Sequence, residues 1–143
     1  EHYGTSGAKY SQQVHALAMS MQTEDILDYG CGKSTLANNL PFKIKQYDPA
    51  VKKYEALPKP ADLVVCTDVL EHVPEEDLDW VIREIFSLSN STVFLNVSCQ
   101  PALKTFTTGK YKGENVHVSV FNHEWWVDKT KHVWKDYKDL KIF

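Results

Sequence analysis

Cysteine is scarce in this chain, with three among 143 residues, and the three are badly placed for the common uses of a thiol. Cys31, Cys66 and Cys99 are odd in number and far apart, which fits neither a disulfide framework nor a zinc-ligand spacing. Reduced thiols are expected, and no metal site. Long apolar runs are missing too, so no segment is suited to cross a bilayer as a helix. No signal-peptide pattern opens the chain, and the first residue is Glu1 rather than Met, so a trimmed or processed product in a cytoplasmic setting is expected. Positive charge is in deficit: 16 Lys and Arg face 19 Asp and Glu, for a formal net charge of -3. That removes any overall pull toward a polyanion and disfavours nucleic acid as a partner. Internal repeats and low-complexity tracts are absent. The remaining balance, 43% hydrophobic and 24% charged, is that of one globular domain over residues 1–143 with no room for a second.

The stretch Ile26-Leu27-Asp28-Tyr29-Gly30-Cys31-Gly32-Lys33-Ser34-Thr35 carries the most information. An apolar run ends on an acid and breaks into a two-glycine turn, which reads as a buried strand feeding a cofactor loop. The glycine that opens a Walker loop would fall at Leu27, inside the strand, so the triphosphate cradle is incomplete. A dinucleotide loop would place its third glycine at Thr35, and Asp28 would sit where a pyrophosphate belongs. A cationic ligand without phosphates, such as S-adenosylmethionine, is favoured by Asp28 instead. Asp48 ends the next apparent strand, Lys43 to Tyr47, roughly twenty residues after Asp28, where a ribose diol is commonly gripped. A third apolar strand, from Ala61, runs into Thr67-Asp68-Val69-Leu70-Glu71-His72-Val73-Pro74.

Together these segments resemble the class I S-adenosylmethionine-dependent methyltransferases, in particular short bacterial and phage forms and small-molecule methyltransferases with Asp-Val-Leu-Glu-His-Val-Pro after the fourth strand. The resemblance covers about Asp25 to Ser98. It implies an α/β, Rossmann-like fold with a mostly parallel central sheet and helices on both faces. It also implies that Asp28, Gly30 and Gly32 line the methionine end, that Asp48 holds the ribose hydroxyls, and that Thr67, Asp68 and Val69 close the site. Ser34 stands where the family usually has glycine. It either caps a helix over Thr35 to Leu40 or turns its hydroxyl toward the cofactor. The family's third strand is compressed to Lys53 to Pro60, which leaves the adenine contacts unassigned, and the usual final antiparallel strand is not visible. A sheet shortened at both places is consistent with this.

Strand and helix alternate along the chain, which independently implies a parallel sheet covered on both faces. Tyr10, Val14, Leu17, Ala18 and Met21 recur at helical spacing ahead of the first strand, and Tyr3, Lys9 and Tyr10 are candidate lid residues. Pro74 with Glu75, Glu76 and Asp77 marks a helix start, an acidic cluster with a structural role. Ser91 to Val97 reads as a further buried strand. Beyond Val97 a glycine-punctuated segment reads as a loop over the ligand rim. The related short enzymes carry there an element like Gly113-Glu114-Asn115-Val116-His117, followed by a Trp-Trp helix, here near Glu124 to Val133. Leu140 to Phe143 reads as a last strand. Trp80, Trp125, Trp126 and Trp134 are expected to pack. The three cysteines fall near strand ends, so redox sensitivity at the cofactor rim is one reading and plain packing the other.

Methyl transfer is an in-line displacement that needs positioning and, for a hydroxyl or amine, removal of a proton. His72 and His117 are the candidates for the base or for orienting the acceptor; each could equally be a cap, turn or core histidine. Glu71 either touches substrate or bonds the backbone of the turn before Pro74. The chain lacks the Asn-Pro-Pro-Tyr or Asp-Pro-Pro-Tyr segment of base-modifying amino-methyltransferases, which counts against DNA adenine methylation. The expected activity is methylation of a small-molecule hydroxyl or amine. Two alternatives stay open: a lyase or hydrolase that consumes the same cofactor, and a non-catalytic binding module that needs a partner chain.

Overall fold

The computed structural model describes residues 6–143. The chain runs α1 (Ser6–Met21), β1 (Ile26–Tyr29), α2 (Thr35–Asn38), β2 (Lys45–Tyr47), β3 (Ala61–Thr67), α3 (Glu75–Ser87), β4 (Ser89–Asn96), α4 (His123–Trp134) and β5 (Lys141–Ile142), with 3-10 turns at Lys52–Tyr54 and Leu70–His72. The strands form one sheet in the order β2-β1-β3-β4-β5, and every neighbouring pair is parallel. Parallel strands need crossover connections, which is why helices alternate with them.

The apolar runs of β1 and β3 make them the central strands, because a strand covered on both faces has no polar side to offer water. Successive side chains point to opposite faces. Ile26, Leu63 and Val65 therefore pack with Val14 and Ala18 of α1 and with Leu36 of α2. Leu27, Val64 and Cys66 pack the other way, onto Leu78, Ile82, Ile85 and Phe86 of α3 and onto Trp126 and Val133 of α4. Burying each of the larger aliphatic side chains contributes about 1.5–3 kcal/mol. Helices thus cover both faces of a mostly parallel sheet, in agreement with the α/β, Rossmann-like expectation.

Local sequence explains the helix ends. Pro74 precedes α3 and the first turn holds Glu75, Glu76 and Asp77, negative charge at the positive end of the helix dipole. The Asn122 side chain accepts a hydrogen bond from the Trp125 amide at 2.9 Å and caps α4. Arg83 reaches Asp79 at 2.9 Å and Asp136 at 2.8 Å, linking α3 to the segment after α4.

Several expectations are corrected. The helix after the glycine turn stops at Asn38, and Ser34 does not cap it. Its backbone is left-handed, φ 62° and ψ 26°, whereas a capping side chain needs an extended backbone at that residue. Its hydroxyl lies 3.3 Å from the Tyr54 hydroxyl instead. The compressed third strand is no strand: Lys52–Tyr54 forms a 3-10 turn, and Pro58 and Pro60 lack the N–H groups that a ladder requires. The last strand pairs Thr92 with Lys141 in parallel, and no antiparallel strand appears among the described residues. The first helix reaches back to Ser6, while Tyr3, a candidate lid residue, lies outside the described residues. No helix among the described residues is long and apolar enough to cross a membrane.

Candidate functional site

In an open parallel sheet the connections leave adjacent strand ends in opposite directions at one place, and a crevice opens there. Here that place lies between β1, whose connection leads outward to β2, and β3, whose connection leads to β4. A cleft of about 1060 Å³ occupies it, beyond the carboxyl ends of the strands. Asp28, Gly30, Gly32, Asp48, Thr67, Asp68, Val69, His72 and His117 all line it, as do Lys9 and Tyr10 of α1. Ser34 is absent from the lining, because its left-handed backbone turns it toward Tyr54.

The β1 side is built from backbone and buried acid. Gly30 has φ 80°, and a Cβ there would overlap the Val69 side chain from the β3 connection. The Gly30 and Cys31 amides donate to the Tyr47 carbonyl at 2.7 and 3.1 Å. Asp48 then closes the turn, accepting from the Gly32 amide and from the Ala50 amide, each at 2.9 Å. Asp28 is 3% exposed. Burial, and then the charge of Asp48, push its carboxyl up to about 7. A cation placed beside it would favour the ionised form and relieve that cost. A ligand with a positive group and no phosphate fits this wall, whereas a pyrophosphate would meet two carboxylates. Beneath it the Tyr29 hydroxyl donates to Glu84 at 2.6 Å, and burial raises the phenol well above its usual range.

The β3 side carries the imidazoles. Asp68 has φ 53° and donates its amide to the Asn96 carbonyl at 3.0 Å, which turns the chain sharply at the strand end. The 3-10 turn that follows is stitched to the rim loop. His72 Nδ1 lies 2.9 Å from the Val116 carbonyl, His117 Nδ1 lies 2.7 Å from the Gln100 carbonyl, and the two rings meet edge to face with centroids 4.8 Å apart. A carbonyl only accepts, so Nδ1 carries the proton in both rings and Nε2 holds the lone pair of the neutral form. Burial lowers the His72 pKa, which favours that neutral form. Glu71 is fully buried. One oxygen accepts from the Ser98 amide at 3.2 Å and the other, Oε2, has no hydrogen-bond partner on another residue among the described residues. Burial pushes this carboxyl up to about 7. The backbone bond expected of Glu71 therefore exists within its own turn, to its own amide, and a second one ties it to the loop after β4 through Ser98.

Two residues to which the sequence reading gave no role at the site shape it. The Asn115 side chain accepts from the Ala102 and His117 amides at 3.0 and 2.9 Å and donates to the Ala102 carbonyl at 2.9 Å, so it holds the rim loop that presents His117. Its position two residues before His117 was the available signal. Trp80, expected to pack, is instead 55% exposed at the cleft, its indole N–H on Asp77 at 3.1 Å. The run Val116 to Val120 alternates yet forms no strand; Ser119 is fully buried and donates its amide to the Glu71 carbonyl and its hydroxyl to the Val73 carbonyl. Of the cysteines only Cys31 lines the cleft. Burial pushes its thiol up to about 12 and raises that of Cys66 well above its usual range, so neither is a ready thiolate.

A family model described as a methyltransferase domain matches residues 4–133. No curated protein matches the chain significantly.

Proposed function

The chain belongs to the methyltransferase domain family, whose enzymes bind S-adenosylmethionine, and on that premise we propose that it methylates a small molecule at a hydroxyl or amine. When bound, the cofactor supplies an electrophilic methyl group on a positively charged sulfur. Asp28 is the group that would face the ligand's cationic end, Gly30 and Gly32 would let the backbone approach it, and Asp48 would take the ribose hydroxyls. Thr67, Asp68 and Val69 would form the wall between donor and acceptor. His72 and His117 would receive the acceptor's O–H or N–H.

The observation that supports a small acceptor is the charge of the cleft. Six carboxyl groups but only two lysines, Lys9 and Lys104, line it, a balance that repels a nucleic-acid backbone. Its volume exceeds the range of about 300–1,000 Å³ typical of small-ligand pockets, which leaves space for a nucleoside-sized donor and a compact acceptor together. The test is release of S-adenosylhomocysteine from the purified chain with panels of hydroxyl and amine acceptors, nucleic acid and protein. Release that depends on a small acceptor is expected. Methylation of nucleic acid or protein alone, or breakdown of the donor with no acceptor, would overturn the reading.

A further inference from the structure

At the acceptor end, Glu71, His72 and His117 each offer one ligand atom, and these atoms lie within 4.8 Å of one another. We propose that these three side chains bind a single divalent cation of the zinc class. A carboxylate with two imidazoles is a donor set that suits zinc, cobalt or nickel better than magnesium or calcium, which prefer all-oxygen sites.

Three observations point to a ligand. The first is Glu71 Oε2, a carboxylate oxygen on a fully buried residue with no hydrogen-bond partner on another residue among the described residues. Such an atom is costly to bury, more so if charged, unless something meets it. The second is the anchoring of both rings through Nδ1 on backbone carbonyls. That arrangement fixes the tautomer and orients the ring in metal-binding histidines. The third is size. Tetrahedral zinc with bonds of about 2.0–2.2 Å holds its donors roughly 3.3–3.6 Å apart, so side-chain movement on the order of 1 Å closes the set. Because His117 rides on the rim loop and Glu71 and His72 on the turn after β3, an ion at this point would clamp the loop to the sheet.

Three protein ligands leave at least one coordination position open, and all three residues line the cleft. An acceptor hydroxyl bound there would be acidified by the cation and could lose its proton to solvent, so no imidazole need act as base once both Nε2 atoms are coordinated. That consequence rests on the acceptor-site reading above; the binding itself does not.

The experiment therefore measures metal alone. The full chain, stripped with chelator and dialysed, is titrated calorimetrically with zinc chloride, and in parallel with cobalt chloride while visible absorption is recorded. One ion per chain, with the visible band of a protein-bound cobalt centre, is expected. Affinity should fall at least tenfold in Glu71→Gln and in His117→Ala, and stay unchanged in His15→Ala. The His117 variant removes a half-buried loop residue, so it remains informative if the Glu71 variant fails to fold. No stoichiometric binding, or binding that survives both substitutions, overturns the site while leaving the methyltransferase assignment standing.

Discussion

The side chain that Gly30 lacks and the side chain of Val69 compete for the same space. Gly30 begins the connection leaving β1 and Val69 lies in the connection leaving β3, so the two loops touch at the place where the strand order reverses. The contact sets how far the first loop can close over the cleft, and it ties the glycine to the fold rather than to the cofactor alone.

Gly30→Ala should therefore destabilise the protein twice over. A left-handed backbone with a Cβ costs about 1–2 kcal/mol, and the overlap with Val69 adds to it. Adding Val69→Ala should recover part of the loss, because the overlap disappears while the backbone cost stays. Thermal melts of the three variants test this. A Gly30→Ala protein that melts with the wild type would contradict both contributions.

Asp28 predicts a pH dependence of unusual sign. Its carboxyl sits at about 7 in the fold against an ordinary 3.8, so between those values the folded state holds more protons than the unfolded state. Stability must then fall as pH rises from about 4 to about 7, by an amount on the order of 3 kcal/mol at roughly 1.4 kcal/mol per unit. Asp28→Asn should remove its share of this slope, leaving the share of Glu71, whose carboxyl is also raised to about 7, and should melt higher than wild type at pH 8. Affinity for S-adenosylmethionine should run the other way, rising through pH 7 as the carboxylate ionises and losing that rise in the variant. Calorimetry at pH 6 and pH 8 checks the second half; equal affinities would separate Asp28 from the cofactor's charge.

How much of this was legible in the sequence depends on the range of the interaction. The strands could be read because β1 and β3 are buried on both faces, which writes unbroken apolar runs such as Leu63 to Cys66. The glycine turn and Asp28 were legible because loop geometry and charge are local properties. Ser34 was misread because left-handed backbone at a serine leaves no trace in residue type. Trp80 was misread because helical spacing does not say which face meets a cleft. His72 and His117 were named together as acceptor candidates, but their contact, with Glu71 beside them, was not readable, since 44 residues lie between the two histidines and only the rim loop's path brings them together.

The cysteines give a reactivity order. Cys31 and Cys66 are buried and Cys99 is partly exposed, and burial holds the first two thiols protonated. A thiolate-selective alkylating reagent at pH 8 should modify Cys99 alone in the native protein, and all three after denaturation. Mass spectrometry of the labelled peptides reads the result directly. Rapid native labelling of Cys31 would restore the idea of a redox-sensitive residue at the cofactor rim.

Asn115 and His117 should separate binding from turnover. His117→Ala removes a ring from the acceptor end and leaves the β1 wall intact, so S-adenosylmethionine affinity should stay near wild type while turnover falls tenfold or more, within the range of about 10²–10⁴ assigned to a proton-transfer group or short of it if the ring only orients the acceptor. Asn115→Ala deletes the three hydrogen bonds that hold the rim loop and touches neither cofactor nor acceptor. Its loss should therefore appear mainly as a raised KM for the acceptor, because the loop must be ordered anew each time substrate binds. Asn115→Asp keeps an acceptor for the Ala102 and His117 amides but cannot donate to the Ala102 carbonyl, so it should fall between wild type and Asn115→Ala. Steady-state kinetics with the acceptor varied, beside calorimetry for the cofactor, distinguishes these outcomes. An Asn115→Ala enzyme with unchanged acceptor KM would mean that the loop holds its shape without this clamp.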